Sequence, residues 1–248
     1  SANLVQNGNF SELGSDLITN GNFETDTNWT KGTGWTISGG KANCDGTQVS
    51  NSIFYQNIGN QSNKTVKFSF TISDYVSGVL ETAFFGASGT IAETISANGN
   101  YTFYVAVQSG HNGNTGFTAK VGFIGSIDNV SVKQVDPNDN WTLGTGTTFG
   151  NNLVNITQGG NVLEQSGGIF VSGKKFKIQY TISNYVSGSI AVSNVSPTTY
   201  FNSNGIYSYD VVGAGGNFKY FSSGFNGSIT DISVIEIQEN GVPRLDYT

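Results

Sequence analysis

The side chains able to do acid–base or nucleophilic work are few and scattered. His111 is the single histidine, set in Ser109-Gly110-His111-Asn112-Gly113. That is a loop composition, with no second imidazole or thiol nearby in sequence to share a proton, so it reads as an ordinary loop residue. No Gly-x-Ser-x-Gly elbow sits between a strand and a helix, which argues against a serine hydrolase. A carboxylate pair of the glycosidase kind could draw on Asp74, Glu81, Glu93 or Glu164. Asp74, however, corresponds to Asn184 in the second copy of a repeat, at a position where both are common turn residues. The expectation is a chain that is not an enzyme.

Oxygen-ligand and aromatic chemistry are the remaining candidates. Asn20-Gly21-Asn22-Phe23-Glu24 and Ile127-Asp128-Asn129-Val130-Ser131-Val132 stand near opposite ends of one repeat, and a calcium ion draws its oxygens from separated strands. Asp128 shares parity with Val130 and Val132, which aims it at the core edge, where a cation would relieve an unpaired carboxylate. The alternative is a bulge that turns Asp128 outward, or backbone amides that cap it. In the second copy the aligned residue is Thr230, with Asp231 one position later. Exposed rings can stack on sugars, and the first candidates are Trp29, Trp35, Trp141, Tyr75 and Tyr185. Trp29 and Trp141 recur between the copies, which favours core or staple roles. Tyr75 and Tyr185 follow a strand and precede Ser-Gly, a position that suits a loop tip or burial equally.

The elements that hold these residues are written in the composition and in a repeat. The chain has 248 residues with 34 Gly, 12% aromatic and 11% charged side chains, a turn-rich and aromatic balance against roughly 25% charge in average proteins. A net charge of -6 without basic runs leaves nothing to neutralise a phosphate backbone, so nucleic acid is not an expected partner. The longest apolar runs are strand-sized, short of the ~20 residues a membrane helix needs, so no membrane insertion is expected. Cys44 is the only cysteine, which excludes an intrachain disulfide and a thiolate metal site. The start, Ser1-Ala2-Asn3-Leu4, has no charged and apolar leader pattern, as expected of a cytosolically made or processed protein. The Asn-x-Ser/Thr triplets, Asn129-Val130-Ser131 among them, fall partly inside predicted strands and read as chance products of the composition.

Thr71-Ile72-Ser73-Asp74-Tyr75-Val76-Ser77-Gly78 recurs as Thr181-Ile182-Ser183-Asn184-Tyr185-Val186-Ser187-Gly188, seven of eight positions being identical. Asn28-Trp29-Thr30 likewise matches Asn140-Trp141-Thr142, and Gly125-Ser126-Ile127 matches Gly227-Ser228-Ile229. This is duplication. Within the copies Phe68, Phe70 and Ile72, or Ile178, Tyr180 and Ile182, alternate with polar residues, the period of strands with one buried face. The fold class expected is all-β: two tandem antiparallel β-sandwich (jelly-roll) domains. The boundaries read as an N-terminal strand or arm over 1–15, domain one over 16–135, domain two over 136–238 and a tail over 239–248. Asn7-Gly8-Asn9-Phe10 and Asn20-Gly21-Asn22-Phe23 are two copies of one motif, yet none stands ahead of Trp141. Domain two thus lacks a first strand or borrows one, and residues 3 to 10 could pair with the open sheet edge of a neighbouring subunit.

From Asn20-Gly21-Asn22-Phe23-Glu24 through Trp29 to the Ile127–Val132 strand, the sequence resembles the carbohydrate-binding-module jelly rolls of the galactose-binding-like superfamily, over most of residues 16 to 135. The resemblance implies a sugar-binding or protein-docking sandwich with one structural calcium, its ligands at Glu24 and Asp128, and no other cofactor. Domain two keeps the later strands and lacks the Asn-Gly-Asn-Phe-Glu motif. The runs Trp29–Ile37 and Thr181–Ser189, and the ending Asn240–Tyr247, look like those of repetitive structural proteins of tailed phages. That likeness implies a non-catalytic protein of the virion surface, a fibre, tail or head decoration. Its partners would be other virion proteins, host or environmental glycans met through Trp35, Tyr75 and Tyr185, and further copies of itself in a homo-oligomer. The alternative is a pair of carbohydrate-binding modules from a secreted bacterial adhesin or polysaccharide-degrading enzyme.

Overall fold

A computed structural model describes residues 2–87 and 93–238; the tail expected over 239–248 lies outside the described residues. The chain is all-β and forms antiparallel sandwich domains. It divides into two compact units, Leu13–Pro137 and the pair Ser1–Glu12 with Asn138 onward, called domain one and domain two below.

Domain one contains β1 (Leu13–Asp16), β2 (Thr30–Lys31), β3 (Trp35–Ser38), β4 (Lys41–Asp45), β5 (Ser52–Asn57), β6 (Thr65–Ser77), β7 (Leu80–Phe84), β8 (Thr94–Ile95), β9 (Gly99–Ala106), β10 (Asn114–Ala119) and β11 (Ile124–Val135). One sheet runs β3-β4-β11-β6-β9 with β1 beside β11, and the other runs β2-β5-β10-β7-β8. The alternation in β6 buries Val66, Phe68, Phe70 and Ile72. Phe70 meets Phe117 of β10 edge-on, centroids 4.9 Å apart, which joins the two sheets across the core. Each such ring taken out of water contributes on the order of 1.5–3 kcal/mol.

Domain two contains β12 (Thr142–Leu143), β13 (Thr147–Phe149), β14 (Val154–Ile156), β15 (Gly160–Phe170), β16 (Lys175–Ser193), β17 (Val195–Ser196), β18 (Gly205–Gly213) and β19 (Gly216–Glu236). These form one curled sheet, β12-β15-β19-β16-β18-β17, with β14 joining β13 to β19. The two longest strands serve both layers. The first half of β16, to Ser183, pairs with the second half of β19 from Ser228, and after a register break Ser187–Ser193 pair with Asn226–Lys219. Tyr180 and Tyr220, from opposite halves, meet edge-on at 5.2 Å, where domain one has Phe70 and Phe117.

The repeated Thr-Ile-Ser-Asp/Asn-Tyr-Val-Ser-Gly text is the corner where a strand passes from one layer to the other. Asp74 and Asn184 take left-handed φ values of 53° and 51°, tolerable because a short polar side chain visits that region most easily. The next residue's N–H is held by an amide from the following hairpin, Asn98 to Tyr75 and Asn204 to Tyr185, both 2.9 Å. Gly78 and Gly188 close the corner with φ of 79° and 74°, and a Cβ at either would strike backbone of Phe123 or Gly224.

The residues expected to form a separate arm, 1–15, divide at Glu12. Leu13–Asp16 pairs with β11 of domain one, whereas Asn3–Phe10 supplies the first segment of domain two. Leu4 N–H donates to the Val234 carbonyl and Ile232 N–H to the Gly8 carbonyl, at 2.8 and 2.9 Å. Leu17 N–H to Val132 and Val130 N–H to Gly21 repeat the pattern in domain one at 2.8 and 2.9 Å. The first segment thus belongs to its own chain's second domain, and the whole of domain one lies in sequence between it and Asn138.

Candidate functional site

The two Asn-Gly-Asn-Phe segments are gripped by the same side chains in both domains. A buried glutamine reads the backbone just ahead of each motif. Gln56 accepts the Thr19 N–H and donates to the Thr19 carbonyl, both at 2.8 Å, and Gln165 does the same with Gln6 at 2.7 and 2.9 Å. A tryptophan indole donates to the first asparagine carbonyl, Trp29 to Asn20 at 3.1 Å and Trp141 to Asn7 at 3.0 Å. The phenylalanine then packs on that indole, Phe23 on Trp29 at 5.3 Å and Phe10 on Trp141 at 5.2 Å. Gly8 and Gly21 are required, since a Cβ would collide with the carbonyl oxygen of Ile232 or Val130. Recurrence of Trp29 and Trp141 therefore reflects this knot.

Trp35 lies in the core, 5% exposed, stacked on Phe54 at 4.8 Å, and its indole N–H has no partner among the described residues. Tyr75 and Tyr185 are half-buried at the corners. Their hydroxyls donate to the Gly78 and Gly188 carbonyls at 3.0 and 3.1 Å, and their rings pack on Phe123 and Phe225.

Glu24 is exposed. Asp128 meets a register break in the β11–β6 ladder, with Asn129 at φ 53°, and the Asn129 N–H donates to its carboxylate at 2.6 Å. The bulge breaks the parity that would have carried Asp128 inward. Among the described residues no group of three or more His, Cys, Asp or Glu side chains is placed to hold a metal ion.

His111 is not on an open loop: it is 1% exposed, with its ring edge-on to Phe84. Its Nδ1 accepts the Gln61 N–H at 3.0 Å, which leaves Nε2 to donate toward the Asn114 carbonyl or the Thr115 hydroxyl, at 3.0 and 3.2 Å. Its composition indicated loop backbone, but its partner lies fifty positions away, beyond any local reading. Three of the four acidic residues considered for a carboxylate pair are held by lysines, while the backbone of Glu93 is bonded to Thr82. Asp74 meets Lys41 at 2.9 Å, Glu81 meets Lys120 at 2.8 Å and Glu164 meets Lys219 at 3.1 Å. Lys41 and neighbouring hydroxyls hold the exposed Asp74 carboxyl below the usual carboxylate range. The Asn217 amide, at 2.6 Å, does so for Glu164, with Lys219 adding to it.

Where the copies differ is the outward face of the β2-β5-β10-β7-β8 sheet. Phe54 points into the core, so its neighbour Tyr55 points out; Phe84 is buried and Phe85 emerges on the same side as Tyr55. The two outer rings meet edge-on at 5.7 Å. Register places Gly116 beside both Tyr55 and Ala83, and a Cβ on Gly116 would collide with the Phe54 carbonyl, so the floor by the rings is bare backbone. Around them stand Ile53, 40% exposed, the Asn57–Asn114 amide pair at 3.0 Å and the Glu81–Lys120 ion pair. In domain two the corresponding ladder positions carry Glu164 opposite Lys219, an ion pair where domain one has a ring and a glycine. The sequence carried a usable signal in Phe54-Tyr55 and Phe84-Phe85: adjacent aromatics in a strand must face opposite ways.

No protein-family model matches this chain, and no curated protein sequence matches it.

Proposed function

We propose that the chain is a non-catalytic binding and assembly module of a virion surface or appendage. In this reading domain one contacts glycans through the Tyr55–Phe85 face, and domain two serves mainly as scaffold. The observation that carries it is the contrast between the copies. Side chains that duplication preserved, the Gln56/Gln165, Trp29/Trp141 and Tyr75/Tyr185 pairs, hold backbone in place. The outward ring pair exists in one copy alone, as expected where a scaffold was duplicated and a surface then diverged. A ring pair beside bare backbone, rimmed by two amides and an ion pair, suits the alternating C–H and hydroxyl surface of a sugar. The likeness to tailed-phage structural proteins and carbohydrate-binding modules supports the setting.

The test is glycan-array screening of the purified chain, followed by calorimetry on a responding sugar. Tyr55→Ala and Phe85→Ala each remove one stacking ring, worth about 1 kcal/mol, and should weaken binding roughly fivefold or more. Glu164→Ala in domain two should leave it unchanged. Binding that ignores both ring substitutions would refute the assignment of this face.

A further inference from the structure

The segment Asn3–Phe10 occupies a groove of domain two that has the properties of a recognition site. We propose that this groove also accepts the same Asn-Gly-Asn-Phe segment from a second copy of the chain, so that copies link by segment exchange. This goes beyond the glycan reading and uses a different surface.

Three observations support it. First, recognition is specific yet transferable, because two segments of different sequence are held by one constellation. Gln6 and Thr19 differ, but only their backbone is read by Gln165 and Gln56. Asn3 and Asp16 differ, but each side chain accepts two backbone N–H groups, those of Val5 and Val234 or of Ile18 and Val132, at 2.9 to 3.1 Å. Val5 and Ile18 both bury an aliphatic side chain, and the shared Phe is 1% exposed in each. Second, the segment adds to the sheet edge by backbone hydrogen bonds, Leu4 to Val234 and Ile232 to Gly8, a mode in which any chain presenting the right side chains can serve as donor. Third, the hinge has no slack. Glu12 is tied to its own domain by the Asn7 side chain at 3.1 Å and by Asn138 and Asn140, both 3.3 Å from its carboxylate. The next residue, Leu13, is already paired with Val135 in β1. A connection this short between two docked elements has no spare residues to take up strain, and short hinges of this kind favour exchange between copies.

The experiment mixes two differently tagged full-length chains, unfolds them together in urea and refolds them at high protein concentration. The expected result is a folded species carrying both tags, stable to dilution on a sizing column. Inserting six Gly/Ser residues between Glu12 and Leu13 preserves every contact of the segment while slackening the hinge, and should return monomers. Removing residues 1–12 from both chains, with folding checked by circular dichroism, takes away the segment to be exchanged and should abolish the mixed species. Monomers alone at every concentration would overturn the proposal, as would mixed species that survive both changes, because they would be joined through another surface.

Discussion

Domain two contains three phenol hydroxyls where domain one has none. Tyr180, Tyr209 and Tyr220 occupy the positions of Phe70, Phe103 and Phe117, as the ladders β16–β18, β6–β9, β16–β19 and β10–β7 align them. All three hydroxyl oxygens are buried without a hydrogen bond of good geometry among the described residues; the Tyr180 and Tyr209 hydroxyls interact with each other in an arrangement too poor to offset their burial, and Tyr180 packs edge-on against both Tyr209 and Tyr220. An unsatisfied buried polar group costs about 1–3 kcal/mol of desolvation. Tyr→Phe removes that cost and keeps the ring contacts. Tyr180→Phe and Tyr220→Phe, whose side chains are fully buried, should each raise the stability of domain two by about 1 kcal/mol or more, and the triple Tyr180→Phe/Tyr209→Phe/Tyr220→Phe by about 3 kcal/mol. Urea unfolding followed at residues of each domain by NMR reads this directly, with domain one as internal reference. A triple variant less stable than the parent would refute the reasoning, because it would mean that the hydroxyls are satisfied.

The same cluster sets an alkaline limit. Burial raises the Tyr209 hydroxyl to about 12 and drives those of Tyr180 and Tyr220 higher still, so the folded state keeps all three neutral where the unfolded chain ionises near 10. Below about pH 9 these hydroxyls are neutral in both states and add no pH dependence; above it the unfolded chain ionises first and folding stability falls, so domain two should weaken between about pH 9 and 11.5 in urea unfolding followed at each pH, and the triple phenylalanine variant should lose most of that slope. Gln165→Leu leaves the Gln6 N–H and carbonyl without partners and should destabilise domain two by about 2 kcal/mol in denaturant unfolding, with Gln56→Leu doing the same to domain one; a change below about 0.5 kcal/mol would show the knot to be dispensable. Gly188→Ala places a Cβ against the Gly224 carbonyl at a positive φ and should cost more than about 2 kcal/mol, visible as a lowered thermal midpoint, whereas Gly173→Ala, equally left-handed but open, should cost only about 1 kcal/mol.

The strand faces were legible because burial follows local alternation: Phe68, Phe70 and Ile72 turn inward as their spacing requires. The duplication was legible because the corner needs an αL-tolerant Asp or Asn, a Tyr and a Gly in fixed order. What could not be read was everything decided by partners distant in the chain. The Gln165 grip on Gln6 spans 159 positions, and the same is true of the allocation of Asn7–Phe10 to domain two. Of the two readings open for Asp128 the bulge is the one found, since the left-handed backbone of Asn129 interrupts the period, and local alternation alone does not decide between them. Trp35 was a candidate sugar-stacking ring and fills the core, while Tyr75 and Tyr185, for which loop tip and burial stood open, bridge their corners half-buried; composition alone does not decide such placements. Phe54-Tyr55 and Phe84-Phe85 carry a local signal for the outer rings, since neighbours in extended chain face opposite ways.

Amide hydrogen exchange on the chain lacking residues 1–12 tests the allocation of the first segment most directly. In the intact chain Ile232 N–H is held by the Gly8 carbonyl and Val234 N–H by the Asn3 side chain, while Val130 and Val132 are held by Gly21 and Asp16. Truncation should expose Ile232 and Val234 to exchange by at least a hundredfold and leave Val130 and Val132 as slow as before. Loss of protection at Val130 and Val132, with Ile232 and Val234 unchanged, would contradict it.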